Sequence, residues 1–217
     1  MIVSVIDYTI ENYFQYCSDF TFQLQKNRQH IHPEGFHDCF LRRSDKIIFM
    51  HVDKCASSSM SSLLREIGLT DMSFRVKNIN ATKKYFLKNN YNFYSISRCP
   101  KDRYISGLQE FIKNYNPPLD LIESSLKSNK FIFDEHTSPQ VCFLFLCDGR
   151  CKNIKLDNNI SNKISKILNR DVILPKKNNS IQEIKNISEK LFKDYCENNP
   201  QFIDLYKEDF LMYERSI

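Results

Sequence analysis

Two segments of this chain follow one pattern, and that pattern restricts the fold more than any other feature. Each has a short apolar run, then a loop of small or cationic residues, then an amphipathic helix. The first run is Lys46-Ile47-Ile48-Phe49-Met50-His51-Val52, followed by the loop Asp53-Lys54-Cys55-Ala56-Ser57-Ser58-Ser59. After it, Met60, Leu63, Leu64 and Ile67 fall on one helical face, and Gly68 supplies a C-terminal stop. The second run is Tyr91-Asn92-Phe93-Tyr94-Ser95-Ile96-Ser97, followed by Arg98-Cys99-Pro100 and a helix to about Tyr115. In that helix Tyr104, Leu108, Phe111 and Ile112 share a face, and Pro100 suits its first turn. A nearly continuous apolar strand is one covered on both faces, which predicts an α/β fold with a parallel sheet and ligands at the carboxyl ends of its strands.

The rest of the chain extends this reading. Pro117-Pro118 closes the second helix, and an apolar segment follows Pro139. Ile154 and Leu156 suggest a short strand, and Ile160, Ile164, Ile167 and Leu168 a helix. Residues 181–195 and 202–213 each read as one helix. Residues 1–44 stay unassigned, although Phe20, Phe22 and Leu24 alternate as in a strand. With 217 residues, 4 Gly, 7 Pro, no repeat and no linker composition, a single domain over residues 1–217 is expected. The longest apolar runs, 47–50 and 141–147, are far short of the roughly 18–20 residues a membrane span needs. The opening Met1-Ile2-Val3-Ser4-Val5-Ile6-Asp7 has no basic region ahead of an apolar stretch, so a cytoplasmic location is expected. The eight cysteines are then expected as thiols, with Cys142, Cys147 and Cys151 in the core, since their spacing does not match paired Cys-x-x-Cys zinc ligands. His30, His32 and His37 also lack ligand spacing, and no metal is expected. The net charge of +5 favours acidic or phosphate-bearing partners. Its cations are dispersed, as at Lys83-Lys84 and Lys176-Lys177, which argues against a nucleic-acid stripe.

The two loops carry the chemistry. Small residues between a buried strand and a helix N-terminus expose backbone N–H groups, and the helix dipole, the serine hydroxyls and Lys54 add to a phosphate cradle. An ordinary serine-rich helix cap would read the same way. The Walker pattern Gly-x-x-x-x-Gly-Lys-Ser/Thr is absent, because the loop has no glycine and its lysine comes first. In the second loop Arg98 leaves a strand end and Ser106 follows about two helical turns later, so a guanidinium fork and a hydroxyl can meet one phosphate. The competing reading is a surface charge cluster around Asp102 and Arg103.

Together the loops resemble the PAPS-dependent sulfotransferase superfamily, in its carbohydrate-sulfotransferase-like branch; PAPS is 3′-phosphoadenosine 5′-phosphosulfate. The first loop is similar to that branch's His-Ile-Pro-Lys-Thr-Ala-Gly-Thr-Ser. The second matches Arg-Asp-Pro-x-x-Arg-x-x-Ser at Arg98, Pro100, Arg103 and Ser106. Glu135-His136-Thr137-Ser138-Pro139-Gln140 resembles its Glu-His-x-x-Pro-Gln segment, and Leu174-Pro175-Lys176-Lys177-Asn178-Asn179-Ser180 its Leu-Pro-x-x-Asn-x-Ser segment. Tyr206-Lys207-Glu208-Asp209-Phe210 is similar to its closing Tyr-x-x-Asp-Phe. Departures are Asp53 for proline, Ser57 for glycine, Cys99 for Asp or Asn, and no tryptophan to stack on adenine.

The resemblance implies a three-layer sandwich with a central parallel sheet, P-loop NTPase-like. It also implies a PAPS co-substrate and an acceptor hydroxyl, on a sugar. Lys54, Cys55, Ala56, Ser57, Ser58 and Ser59 would hold the 5′-phosphosulfate, Arg98 and Ser106 the 3′-phosphate, and Ser180 a further cofactor contact. Lys54 would neutralise the leaving phosphate. His136, with an ordinary pKa near neutrality, would take the acceptor's proton, with Glu135 or Asp134 as the alternative. Cys55 and Cys99, in cationic loops at helix N-termini, are expected to have lowered thiol pKa values. A nucleotide-dependent phosphoryl-transfer enzyme and a non-catalytic binder of nucleotides or nucleic acid remain the other readings.

Overall fold

The computed structural model describes residues 13–19, 38–72, 79–175 and 181–217. The alternating pattern 20–24 falls outside them. Five strands form one sheet: β1 (Cys39–Arg42), β2 (Ile47–Met50), β3 (Thr70–Met72), β4 (Asn92–Ser97) and β5 (Cys151–Lys155), in the spatial order β3-β1-β2-β4-β5. β2, β4 and β5 are parallel neighbours, with Ile48 opposite Phe93 and Phe93 opposite Cys151. β1 is antiparallel to both β2 and β3, so the sheet is mixed, which corrects the expected all-parallel one. The reason is the connection. Only residues 43–46 separate β1 from β2, with Lys46 at φ 52 and its N–H bonded to the Arg43 carbonyl. A link that short can close only a hairpin, since a parallel neighbour needs a crossover of about a dozen residues or more.

The predicted helices form close to their expected bounds: α1 (Ser57–Glu66), α3 (Pro100–Tyr115), α5 (Ile160–Leu168) and α6 (Gln182–Tyr195). Met60, Leu63 and Leu64 of α1 are buried, as are Tyr104, Leu108, Phe111 and Ile112 of α3. Elements that the sequence reading did not assign are β1, β3, α2 (Ile79–Lys88) and α4 (Leu119–Lys127). The single helix expected over 202–213 is two, α7 (Pro200–Leu205) and α8 (Lys207–Glu214). Tyr206 leaves helical geometry between them, at φ −99 and ψ 8. Its ring stacks on Phe202 at 4.5 Å, and its hydroxyl donates to the Thr137 carbonyl. The run 140–147 folds as a 3₁₀ helix, Gln140–Cys147, with Cys142 and Cys147 fully buried. Among the described residues no helix is long and apolar enough to cross a membrane.

Helix α3 lies directly on a one-turn 3₁₀ helix, Glu135–Thr137. A Cβ added at Gly107 would sit 2.3 Å from the His136 carbonyl oxygen and 2.8 Å from its carbon, both main-chain atoms that cannot swing away. Gly107→Ala is expected to destabilise the protein by roughly 1–3 kcal/mol, the usual cost of overpacking. A denaturant midpoint unchanged from wild type would show that the two segments are free to separate.

Candidate functional site

The first loop leaves the carboxyl end of β2 with two non-glycine residues in left-handed geometry, Lys54 at φ 62 and Ala56 at φ 59. Ala56 is the N-cap of α1, and no side-chain oxygen bonds into that cap. The N–H groups of the first helical turn are thus left for a ligand or water. A cleft of about 1100 Å³ opens here, lined by Lys54, Ala56, Ser57, Ser58 and Ser59 from the first loop and by Arg98 and Ser106 from the second. Seven of the predicted site residues therefore face one space. Leu156, Asp157 and Ser161 also line it, with Leu174, Pro175, Ile184 and Lys185. Of these, only Leu174 and Pro175 belong to a segment compared with the family pattern; Leu156, Ser161, Ile184 and Lys185 lie in stretches read from the sequence as strand or helix with no site role.

Charges in the cleft are partly balanced. Lys54 Nζ lies 3.2 Å from Glu110 Oε2, and Lys113 Nζ approaches Glu110 Oε1 at 3.9 Å. Burial alone would raise the Glu110 carboxyl, but the charge and hydrogen bond of Lys54 outweigh it and hold the pKa below its usual value. Arg98 Nη1 donates to the Lys54 carbonyl at 3.2 Å, which joins the two loops directly.

The remaining predicted residues are placed differently. The Cys55 thiol points away from the cleft, donates to Gln140 Oε1 at 3.0 Å and is only 2% exposed. Burial pushes it up to about 11, with the cations of Arg103 and Arg98 working against the rise, so the expected lowering is corrected. Ser180 lies outside the described residues. His136 is not among the lining residues of the cleft. Its Nδ1 is 2.9 Å from Asp134 Oδ2, and the buried Asp134 carboxylate also accepts the N–H groups of His136 and Thr137. Burial would lower the imidazole, but the hydrogen bond and charge of Asp134, reinforced by Asp53 and Glu135, carry it up to about 9. At neutral pH the ring is therefore charged, which corrects the near-neutral value expected from its residue type. Glu135 is raised, first by burial and then by the Asp134 charge.

Several residues that organise the site were not assigned this role from the sequence. Arg103 is fully buried, not part of a surface cluster, and donates from Nε to the Asp53 carbonyl at 2.9 Å and from Nη1 to the Ser138 carbonyl. Gln140 clamps the main chain of Arg98 at two points, accepting its N–H at 3.0 Å and donating to its carbonyl at 2.9 Å. Asp209, fully buried, accepts the N–H groups of Gln140 at 2.6 Å and Val141 at 3.0 Å. Burial raises its pKa to about 6, with Arg103 and the two N–H bonds opposing. The segments containing Gln140 and Asp209 were visible only as echoes of the family pattern, with no role attached. Comparison with known family models, with curated proteins and with solved structures finds no match.

The His136–Asp134 pair has a measurable consequence. A histidine whose folded pKa is raised from 6.5 to about 9 stabilises the fold fully below pH 6.5, and that contribution is lost as pH rises through about 9. Asp134→Asn is expected to return the His136 titration, followed by NMR, toward its ordinary value. The same change should flatten the fall in unfolding free energy between pH 6.5 and 9. A His136 titration in the wild type centred near 6.5 would refute the pairing.

Proposed function

We propose that this chain is a PAPS-dependent sulfotransferase with a P-loop-like core, moving a sulfuryl group from PAPS to an acceptor hydroxyl, on a carbohydrate. One observation carries the reading: two loops matched to the family independently in sequence line the same cleft, with Lys54 and Arg98 both on its wall. The residues present suit a bisphosphate. The uncapped first turn of α1 and the hydroxyls of Ser57–Ser59 receive the 5′-phosphosulfate, and Arg98 with Ser106 the 3′-phosphate. Lys54 meets the charge that develops on the departing phosphate oxygen, so it stabilises the transition state more than the bound substrate. No step in this scheme uses a metal. His136, which is off the lining of this cleft and carries a proton at neutral pH through its bond to Asp134, is not given the proton-accepting role expected of it from the sequence.

Thermal shift separates the readings. Adenosine 3′,5′-bisphosphate without magnesium is expected to raise Tm in a concentration-dependent way. Stabilisation by ATP only with magnesium would favour phosphoryl transfer, and salt-sensitive oligonucleotide binding a nucleic-acid binder. Arg98→Ala should weaken the bisphosphate by roughly 1.5–3 kcal/mol while changing 5′-AMP binding little. An equal loss for both ligands would move the 3′-phosphate elsewhere. Lys54→Ala should lower kcat on the order of 10²-fold with a smaller change in bisphosphate affinity. Affinity that collapses while kcat at saturation holds would make Lys54 an anchor only.

A further inference from the structure

Between Asp71 and Asp102 the chain carries seven Lys and Arg residues and no Asp or Glu, an excess larger than the +5 of the whole molecule. The cations are spread along the sequence, but the acids are not. Helix α2 lies in this stretch, and its residues Asn80, Lys83, Lys84, Leu87 and Lys88 share one face at helical spacing. Together with Arg150, which immediately precedes β5, they line a groove of about 570 Å³, within the size range of small-molecule sites. Because α2 ends just before β4 and Arg150 stands just before the parallel β5, the groove sits at the amino ends of these strands. The cleft, at the carboxyl end of β2, is at the other end of the sheet.

The groove is held in shape before any ligand arrives. Lys83 Nζ bonds to Asp148 Oδ1 at 2.7 Å, which ties α2 to the turn ahead of β5. In that turn Asp148 at φ 50 and Gly149 at φ 71 are both left-handed, and the Arg150 N–H donates to the Cys147 carbonyl at 3.0 Å. The backbone that carries Arg150 is therefore fixed relative to the lysines. Lys84, Lys88 and Arg150 are exposed, and among the described residues no carboxylate pairs with any of them. Like charges gathered at one groove repel, and a ligand with several negative charges removes that cost. Lys84 and Lys88 are one helical turn apart, about 6 Å along the axis. A lone carboxylate or orthophosphate meets one of them, whereas a short chain of phosphates meets both and still offers an oxygen pair to the Arg150 fork. Among the described residues no aromatic ring lines the groove, and single-stranded nucleic acid is held by base stacking as well as by charge. The lining therefore favours a compact ligand over a nucleic-acid strand.

We propose that this groove is a binding site for a small polyphosphorylated anion, with Lys84 and Lys88 meeting phosphates at either end of a short chain and Arg150 gripping one of them bidentately. Lys83 keeps Asp148 neutralised, so the acid beside the groove does not oppose the ligand. The site is separate from the cleft of Lys54 and Arg98, and the inference is independent of the sulfotransferase reading.

The probe is inorganic tripolyphosphate, titrated into the full chain without divalent cations and followed by calorimetry and by amide NMR shifts. The titrations are run in an Arg98→Ala background as well as in the wild type, so that phosphate held in the cleft is told apart from phosphate held in the groove. In that background tripolyphosphate is expected to bind about tenfold or more tightly than orthophosphate, with shifts centred on α2 and residues 148–151. The affinity should fall steeply between about 0.05 and 0.5 M salt. Adding Lys84→Gln with Lys88→Gln should weaken tripolyphosphate by about tenfold or more, and Arg150→Gln alone several-fold. If the double lysine variant does not fold, Arg150→Gln and the shift map still decide the matter. Loss of all binding on Arg98→Ala, shifts confined to residues 54–59, or equal affinity for orthophosphate would overturn the proposal. Tighter binding of a single-stranded oligonucleotide than of tripolyphosphate at the same salt, lost with the two lysines, would overturn it as well and give the groove to nucleic acid.

Discussion

A buried guanidinium holds the cleft together. Arg103 is fully buried, and a charge in that position persists only where hydrogen bonds and an opposing charge replace water. Its Nε reaches the carbonyl of Asp53 in the first loop, its Nη1 reaches the carbonyl of Ser138, and its face packs over Phe143 at 5.4 Å. The fully buried carboxylate of Asp209 supplies the opposing charge. Truncating Arg103 would leave the buried Ser138 carbonyl and the part-buried Asp53 carbonyl without this donor and the buried Asp209 carboxylate without its nearby cation, and a buried group left unpaired costs more than the bond that was lost. The segment Ser138–Gln140 thereby becomes the reference to which both cleft loops are fixed. Arg103 fastens the first loop to it, and the Gln140 amide fastens Arg98.

The parts of the fold that the sequence revealed are those whose apolar pattern is dense. Ile47–Met50 is buried at every position, and α3 buries four apolar residues on one face, so both stand out locally. The missed elements are sparse. β3 has three residues, none buried, and takes its place by pairing with β1. In α4 only Ile122 and Leu126 are buried, and the exposed Leu119 and Leu121 blur their spacing. β1 is four residues long, and its identity rests on a hairpin partner that its own sequence does not announce.

For the site, the division lies between local and distant contacts. Lys54, Ala56–Ser59, Arg98 and Ser106 were legible because a strand end, a run of small residues and a helix N-terminus are all local signals. The inward turn of Cys55 was not, because alternate loop residues face opposite sides and the direction is chosen by Gln140, far along the chain. Burial of Arg103 depends on partners in two other segments, and the hold on Gln140 depends on Asp209 near the C-terminus. The raised pKa of His136 has a short-range source, since Asp134 lies two residues away. It acts because a 3₁₀ turn, capped by that same carboxylate, aims the ring nitrogen at it.

Helix α3 joins the frame to the chemistry, because its two sides serve different masters. Tyr104, Leu108, Phe111 and Ile112 face the core, while Ser106, Gln109, Glu110 and Lys113 face the cleft at helical spacing. Any rotation of α3 that displaced Glu110 from Lys54 would also drive Gly107 away from, or into, the His136 carbonyl, so the helix cannot turn freely. On this side of the cleft, rearrangement therefore falls to side chains. The Lys54–Glu110 pair suits that role: both groups are about a quarter exposed, and ion pairs open to solvent contribute only about 0–1 kcal/mol. An anion with more charge than a carboxylate can take Lys54 from Glu110 at small cost. The displaced carboxylate keeps a cation within reach at Lys113, so ligand entry does not strand a charge inside the cleft.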